Sequence, residues 1–176
     1  TTAVMKLVDD GRLDLSRSLS TYLPYLVNTN KKDMIMRDVL VHQAGLVEFM
    51  QFYYSCLEPV FKEQNLLSNK QNNFNSIMVG NGLYMNRYTR YKADMVSDHY
   101  SELFQLKVAD NMFMVKSWVD TVFNGIAASP VRKKQYIYSD LGFMLLKQLV
   151  DTIAHKPFAA FLESTFYKKL GAGSVV

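Results

Sequence analysis

Apolar residues recur at helical spacing in several stretches of the chain. Leu141, Leu145, Leu149 and Ile153 fall four residues apart with Met144, Leu146 and Val150 beside them, so a helix from Ser139 to Ala154 is expected to be buried on most sides. Val115, Trp118, Val119, Val122, Phe123 and Ile126 step by threes and fours, which predicts a helix over Val115 to Ala127, closed by Ser129-Pro130. Phe158, Phe161, Leu162 and Thr165 share one side of a last helix, Pro157 to Tyr167, with Pro at an N1-like position. At the other end Thr1 opens straight into a pattern with Val4, Leu7 and Val8 on one face and Gly11 as its stop. Between these, Leu13-Asp14-Leu15 reads as an extended link. Ser16 is expected to cap a brief helix through Leu19 and Tyr22 that Pro24 ends. Arg37 to His42 reads as a short helix with Val39 and Leu40 inward, ended near Gly45.

Strand signals are weaker. Gln135 to Tyr138 is a short strand-like run, and Leu106 with Val108 permits a strand around Lys107. Phe49, Phe52, Tyr53 and Leu57 lie at helical spacing before a break at Pro59. Lys62 to Asn75 is polar and rich in asparagine, which predicts exposed turns. Asn81 to Lys92 interleaves Tyr84, Tyr88 and Tyr91 with Arg87, Arg90 and Lys92, the pattern of a wet amphipathic loop or edge strand. No fixed period recurs, which excludes a solenoid. The expected class is mainly α with minor β, in a single partial domain. Its parts are residues 1–46, a variable region over 47–112, and core helices over 113–176.

Composition narrows the function classes. An apolar content of 49% in 176 residues is enough for a core. The formal net charge of +4 is too small to drive nucleic-acid or lipid binding, and Arg87, Arg90 and Lys92 alone do not make a nucleic-acid surface. No nucleic-acid partner is expected. The single cysteine, Cys56, has apolar neighbours and reads as a buried thiol; it forms no intrachain disulfide and has no ligand spacing. Neither a metal nor a cofactor is expected. No apolar run approaches the length of a membrane span, and no basic-then-apolar leader opens the chain, so a soluble segment is expected.

Tyr138-Ser139-Asp140 is the stretch with the clearest chemical potential, because it stands where a short strand-like run turns into a strongly apolar helix. Locally it reads as an N-cap, supplied by Ser139 or Asp140, with a tyrosine packed in front. His42, between a short helix and a Gly turn, reads as a packed or backbone-bonded residue, since no second His or carboxylate accompanies it at ligand spacing.

Four segments in order resemble one family. They are Thr1 to Leu15 (TTAVMKLVDDGRLDL) followed by Tyr22-Leu23-Pro24, Arg37 to Leu46 (RDVLVHQAGL), Tyr138 to Phe143 (YSDLGF), and Phe166 to Gly171 (FYKKLG). They are similar, respectively, to the helix and link after a Ser-x-x-Lys motif, an R-D-L-L-x-H-x-x-G-L segment, a Tyr-x-Asn motif, and a P-L-G segment. These are features of the serine β-lactamase and penicillin-binding-protein superfamily, in its class C β-lactamase-like and esterase-like branch. The sequence departs from the pattern at Asp140, where Asn is usual, at Met36, where a Thr cap is usual, and at Lys169, where Pro is common.

The resemblance implies the helical lobe of a β-lactamase/transpeptidase-like α/β fold, with the sheet lobe and the Ser-x-x-Lys segment absent. It implies an intact parent that hydrolyses an ester or amide through an acyl-enzyme, with Tyr138 as proton relay and Asp140 supporting it in place of the motif asparagine. Such a phenol acts as a base only where positive charge stabilises its phenolate. The third motif is expected beyond Val176, since Gly171-Ala172-Gly173-Ser174 does not resemble it. The chain is therefore expected to be a fragment, inactive alone, beginning inside a helix and stopping after another, with a tendency to self-associate through faces meant for the missing sheet lobe. Its parent's partner is a small-molecule or peptide substrate, and its compartment is periplasmic or secreted. The other function class in view is a degenerate, non-catalytic binding or scaffold module attached to another enzyme domain.

Overall fold

A computed structural model describes residues 1–172; residues 173–176, which carry part of the expected chain ending, lie outside the described residues. The chain divides into two compact units, Thr1–Met50 with Phe123–Val176, and Gln51–Val122.

The first unit is built on helix α4 (Asp140–Ala154), against which α1 (Thr2–Asp9), α2 (Met36–Leu40) and α5 (Phe158–Leu162) all pack. The four-residue leucine repeat explains this. Leu141, Leu145 and Leu149 are fully buried, with Leu146, Val150 and Ala154 buried beside them, while Met144 and Ile153 are only partly covered. Lys147 and Asp151 close an ion pair of 2.5 Å on the outer side. Gly142 sits where α2 crosses, and a Cβ there would lie 2.9 Å from Val39 Cγ1, so the missing side chain sets how close the two helices come. The helix stops at His155, whose φ of +53° leaves the right-handed region, and Pro157 then prevents continuation.

The remaining elements of this unit are short and tied down by backbone bonds. α1 ends in a Schellman arrangement: Gly11, at φ +68°, donates to Val8 O, and Arg12 N donates to Leu7 O, each at 2.9 Å. The Arg12 guanidinium reaches Ile153 O at the far end of α4. The expected Ser16 cap is not made. Ser16 bonds Asp14 instead, through its hydroxyl at 2.6 Å and its amide at 2.8 Å, and the turn at Leu19–Thr21 follows Ser18. These two bonds, first the hydroxyl's, hold the Asp14 carboxyl below its usual range. Met36 likewise does not stand at a cap position; it is the first residue of α2 and fully buried. The free amides of that helix start are met by the preceding link, with Met36 N bonding Arg17 O and Arg37 N bonding Leu15 O, both at 3.1 Å. α5 begins after Pro157 at the cap itself, one position earlier than expected, and continues as a wider π-type turn over Glu163–Tyr167.

Lys31 is fully buried and, among the described residues, has no carboxylate partner. Its Nζ donates to Ser129 O at 2.6 Å, Asn30 Oδ1 at 2.9 Å and Ala127 O at 3.2 Å, which uses all three ammonium protons. Two of these acceptors are carbonyls at the end of helix α3 (Ser117–Ala128), the end where the helix dipole favours a cation.

The second unit corrects the reading of residues 47–112. The aromatic stretch after Phe49 makes a 3-10 turn, Phe52–Cys56, and not a helix. Eight short strands then follow, which together remain a smaller share of the chain than its helices. β1 (Leu57–Pro59) pairs with β5 (Thr89–Tyr91); β2 (Leu67–Ser68) and β3 (Asn75–Gly80) flank β4 (Leu83–Asn86); β6 (Val96–Ser97) and β7 (Leu106–Ala109) flank β8 (Met112–Met114). All pairings are antiparallel. Asn81-Gly82 makes the two-residue β3–β4 turn with Gly82 at φ +72°, and Asp110-Asn111 the β7–β8 turn with Asn111 at φ +52°. The asparagines of this region are not all at the surface. Asn75 is buried and its amide donates to Asn65 O, Leu66 O and Tyr84 O, stitching β3 to the segment before β2 and to β4. Cys56 is a buried free thiol. Arg90 pairs with Glu58 at 2.7 Å, Lys92 donates to Ser55 O at 2.8 Å, and Arg87 lies 5.4 Å over the Tyr88 ring, so each of the three cations has a partner within its own unit. Among the described residues no helix is long and apolar enough to cross a membrane.

Burial lowers the Lys31 ammonium to about 8 from the ordinary 10.5, so between those values the unfolded chain holds a proton that the folded chain has released. Stability attributable to Lys31 therefore rises with pH across that window. Removing the amine takes a donor from the Ala127 and Ser129 carbonyls, of which Ser129 O keeps its bond from Asn30 Nδ2 at 3.0 Å. Lys31→Met is expected to lower unfolding free energy by about 1–3 kcal/mol in denaturant titrations, and the deficit should widen from pH 8 to pH 10. A Lys31→Met protein as stable as wild type at both pH values would contradict this.

Candidate active site

The Tyr138 corner is made by two loops of the first unit that run side by side. One is residues 42–48 after α2, the other residues 132–140 before α4. Arg132 N donates to Gly45 O at 2.7 Å, Ile137 N to His42 O at 2.9 Å, and Asp140 N to Glu48 O at 3.1 Å. The run Gln135 to Tyr138 bends at Gln135 and belongs to no strand, which corrects the strand expectation. Its backbone is satisfied by this irregular zipper and not by a ladder.

Two residues of the H-x-x-G-L segment have left-handed backbones, His42 at φ +57° and Gly45 at φ +76°. Only glycine fits at 45. A Cβ there would sit 2.3 Å from Arg132 O, well inside contact distance, so the two loops approach each other to the limit of their backbones. Across the zipper the Arg132 guanidinium bonds both Glu48 carboxylate oxygens, at 2.8 and 3.1 Å, and Lys134 pairs with Asp38 at 2.5 Å. The Glu48 carboxyl is held below its usual range, first by its own backbone amide and then by Arg132.

Ser139 stands at the N-cap position of α4 but its side chain does not cap. The buried hydroxyl donates to Val47 O at 2.6 Å, and the Ser139 amide donates to His42 Nδ1 at 3.2 Å. Because Nδ1 accepts, the proton of the neutral imidazole is assigned to Nε2. The His42 ring also lies against Tyr138, with centroids 4.6 Å apart, and against Phe143 at 5.4 Å, with Tyr136 edge-on at 6.2 Å. His42 is thus the packed and backbone-bonded residue its sequence context predicts.

These contacts leave Tyr138 presented to solvent. Its side chain is 61% exposed on a backbone anchored by the buried residue that follows it. The space beneath the corner, lined by Val39, His42, Leu46, Ile137, Ser139 and Gly142, is only about 10 Å³. That is room for no more than a water, so any reacting group must meet the phenol from outside.

Asp140 stands two residues on, partly covered, at the first position of α4. Its carboxylate charge is the leading cause of a phenol pKa at Tyr138 raised above the ordinary value. Negative charge favours the neutral phenol. The direction is opposite to what a general base needs, and Asn at this position would not impose it. Among the described residues no group of His, Cys, Asp and Glu side chains is arranged to hold a metal. No Ser-x-x-Lys occurs anywhere in the 176 residues.

The structure therefore holds Tyr138, Ser139 and Asp140 at one corner and adds His42 and Gly45, which the sequence does not join to them as a unit. Gly45→Ala tests the zipper. The left-handed backbone alone costs an alanine about 1–2 kcal/mol, and the clash with Arg132 O adds to it. The variant is expected to lose that stability or more, with faster hydrogen exchange at Arg132 and Ile137. An unchanged exchange pattern would show that the loops are not held by their approach at Gly45.

Residues 1–67 match the family model described as Beta-lactamase. Among solved structures, FmtA from Staphylococcus aureus is similar over 96% of this chain and 31% of its own, at 14% identity and a TM-score of 0.52. EstCE1, a hydrolase with promiscuous acyltransferase activity, is similar over 96% of this chain and 34% of its own, at 13% identity and a TM-score of 0.50. An octameric penicillin-binding protein homologue from Pyrococcus abyssi is similar over 97% of this chain and 29% of its own, at 15% identity and a TM-score of 0.51. The chain spans about a third of the length of these structures. Residues 1–67 thus match the Beta-lactamase family model, and the fold of the chain is similar to part of the fold of these solved structures.

Proposed function

We propose that this chain is the helical portion of a β-lactamase-like serine hydrolase and supplies Tyr138 as the proton relay of its active site. One observation carries the reading. Tyr138 is a solvent-facing phenol on a backbone held from both sides, through Ser139 and Ile137, at the head of the most deeply buried helix. A group that moves protons at a reacting carbonyl must be accessible and yet fixed, and this corner provides both.

On this reading the full-length protein hydrolyses an ester or amide through an acyl-enzyme. The nucleophilic serine, its lysine and the strand that completes the oxyanion hole are supplied from outside these 176 residues, so the chain is inactive by itself. Asp140 takes the place of the motif asparagine: its carboxylate accepts hydrogen bonds but donates none. A periplasmic or secreted location and a small-molecule or peptide substrate follow from the same reading.

The test is labelling of the full-length protein by a fluorescent penicillin or a fluorophosphonate probe. Covalent labelling is expected, and Tyr138→Phe should slow it by about a hundredfold or more, the scale of a lost acid–base group. Labelling that Tyr138→Phe leaves unchanged would remove the phenol from the mechanism.

A second reading, a non-catalytic binding or scaffold module, is favoured by the unfavourable charge of Asp140 beside the phenol. Complete absence of labelling would favour it. The charge itself is open to direct measurement: in Asp140→Asn the Tyr138 phenol is expected to ionise at lower pH than in wild type, as followed by tyrosinate absorbance against a Tyr138→Phe control. A phenol that titrates identically in both proteins would mean that Asp140 does not govern it.

A further inference from the structure

We propose that His42 is a positioning residue for Tyr138 and that it holds the phenol in place only while its Nδ1 carries no proton. The proposal rests on the reading of Tyr138 as the site phenol for its functional meaning, but its structural content stands apart from that reading.

His42 grips the corner at three points. Its carbonyl accepts from Ile137 N at 2.9 Å, its Nδ1 accepts from Ser139 N at 3.2 Å, and its ring lies 4.6 Å from the Tyr138 ring. The first two fall on the residues either side of Tyr138, so they fix the direction in which its side chain leaves the backbone. The second is the one that depends on protonation. An Nδ1 that accepts from an amide cannot carry a proton without setting two N–H groups against each other. Ser139 would then have a buried amide without an acceptor, a loss that a backbone resists by moving.

The titratable groups around His42 are few. Tyr136 and Tyr138 touch its ring, and Asp140 follows on the same corner. Asp38 lies on α2, where its carbonyl accepts from Gln43 N at 2.7 Å and its carboxylate pairs with Lys134. Glu48 pairs with Arg132 at the other end of the zipper. Acidification acts on these carboxylates as well as on the imidazole, so a substitution that removes only the imidazole's titration is needed to separate them.

His42→Asn does this. Asparagine tolerates a left-handed backbone, as position 42 requires, and its Oδ1 offers an acceptor close to where Nδ1 stands, without a proton to gain. His42→Ala keeps neither property. In the isotope-labelled full-length protein, the Ser139 and Ile137 amides and the Tyr138 ring are followed by NMR from neutral to acidic pH beside the His42 ring signals. In wild type the Ser139 amide is expected to lose about tenfold or more of its exchange protection in step with His42 protonation. In His42→Asn, with Asp38, Glu48 and Asp140 all retained, it should stay protected throughout, and in His42→Ala it should be unprotected at every pH.

Activity gives a second readout. The acid limb of kcat/KM is expected to fall with His42 protonation in wild type and to be absent in His42→Asn, while His42→Ala loses about tenfold to a hundredfold at all pH values. A Ser139 amide that is indifferent to His42 protonation, or that loosens equally in His42→Asn, overturns the proposal. A protein that shows the NMR behaviour but hydrolyses nothing leaves the positioning role standing and removes the hydrolase reading instead.

Discussion

Everything at the Tyr138 corner depends on how closely two backbones approach at Gly45. A Cβ at that residue would lie 2.3 Å from Arg132 O, so the approach is possible only where there is no side chain. Once the loops are that close, the bonds from Arg132 N, Ile137 N and Asp140 N to Gly45 O, His42 O and Glu48 O can all form, and the register of one loop fixes the register of the other. The same logic holds one layer deeper. Gly142 admits Val39, so α2 lies against α4 near enough for the loop that leaves α2 to meet the loop that enters α4. Two glycines, one at a loop crossing and one at a helix crossing, thus set the approach that positions Tyr138.

The polar groups of the corner are placed to serve the backbone first. A serine before a helix ordinarily turns its hydroxyl onto the helix amides, yet the Ser139 hydroxyl goes to Val47 O and its amide to His42. The helix start gives up a cap and the loop crossing gains a buried bond. That exchange stabilises one orientation of the residue before it. Tyr138 is accordingly exposed and constrained together, a combination that a solvated loop does not provide.

Which parts of this were legible in the sequence follows from what each depends on. The leucine repeat of α4, the apolar steps of α3 and the Gly11 stop of α1 are local patterns, and each element formed within a residue or two of its expected bounds. The strands of residues 57–114 are too short to show alternation. Their better signal is turn chemistry, Asn81-Gly82 and Asp110-Asn111, which form hairpin turns. Asn75 looked like one more surface asparagine because its three backbone acceptors come from residues 65, 66 and 84. The corner itself was visible only in part. Tyr138 and Asp140 are adjacent in sequence, whereas His42 and Gly45 join them through contacts about ninety residues away. The left-handed backbone at 42 has no signature in a histidine, and the Ser139 cap expected from position alone lost to an acceptor that only the fold supplies.

The electrostatics of the corner bear on how it would work in a hydrolase. A carboxylate two residues from the phenol favours its protonated form. In this chain Tyr138 is therefore populated in the form that donates a proton, though it holds that proton more tightly than an ordinary phenol, and not in the form that takes one. In an acyl-transfer cycle both acts are needed, the first to protonate a leaving group and the second to deprotonate a nucleophile or water. Only a cation can reverse the bias of Asp140 at the moment a base is required. Of the three cations that open this loop, Arg132 is committed to Glu48 and Lys134 to Asp38, while Lys133 lies between them. On the hydrolase reading, whichever cation supplies the compensating charge has to outweigh a negative charge that an asparagine would not have placed there.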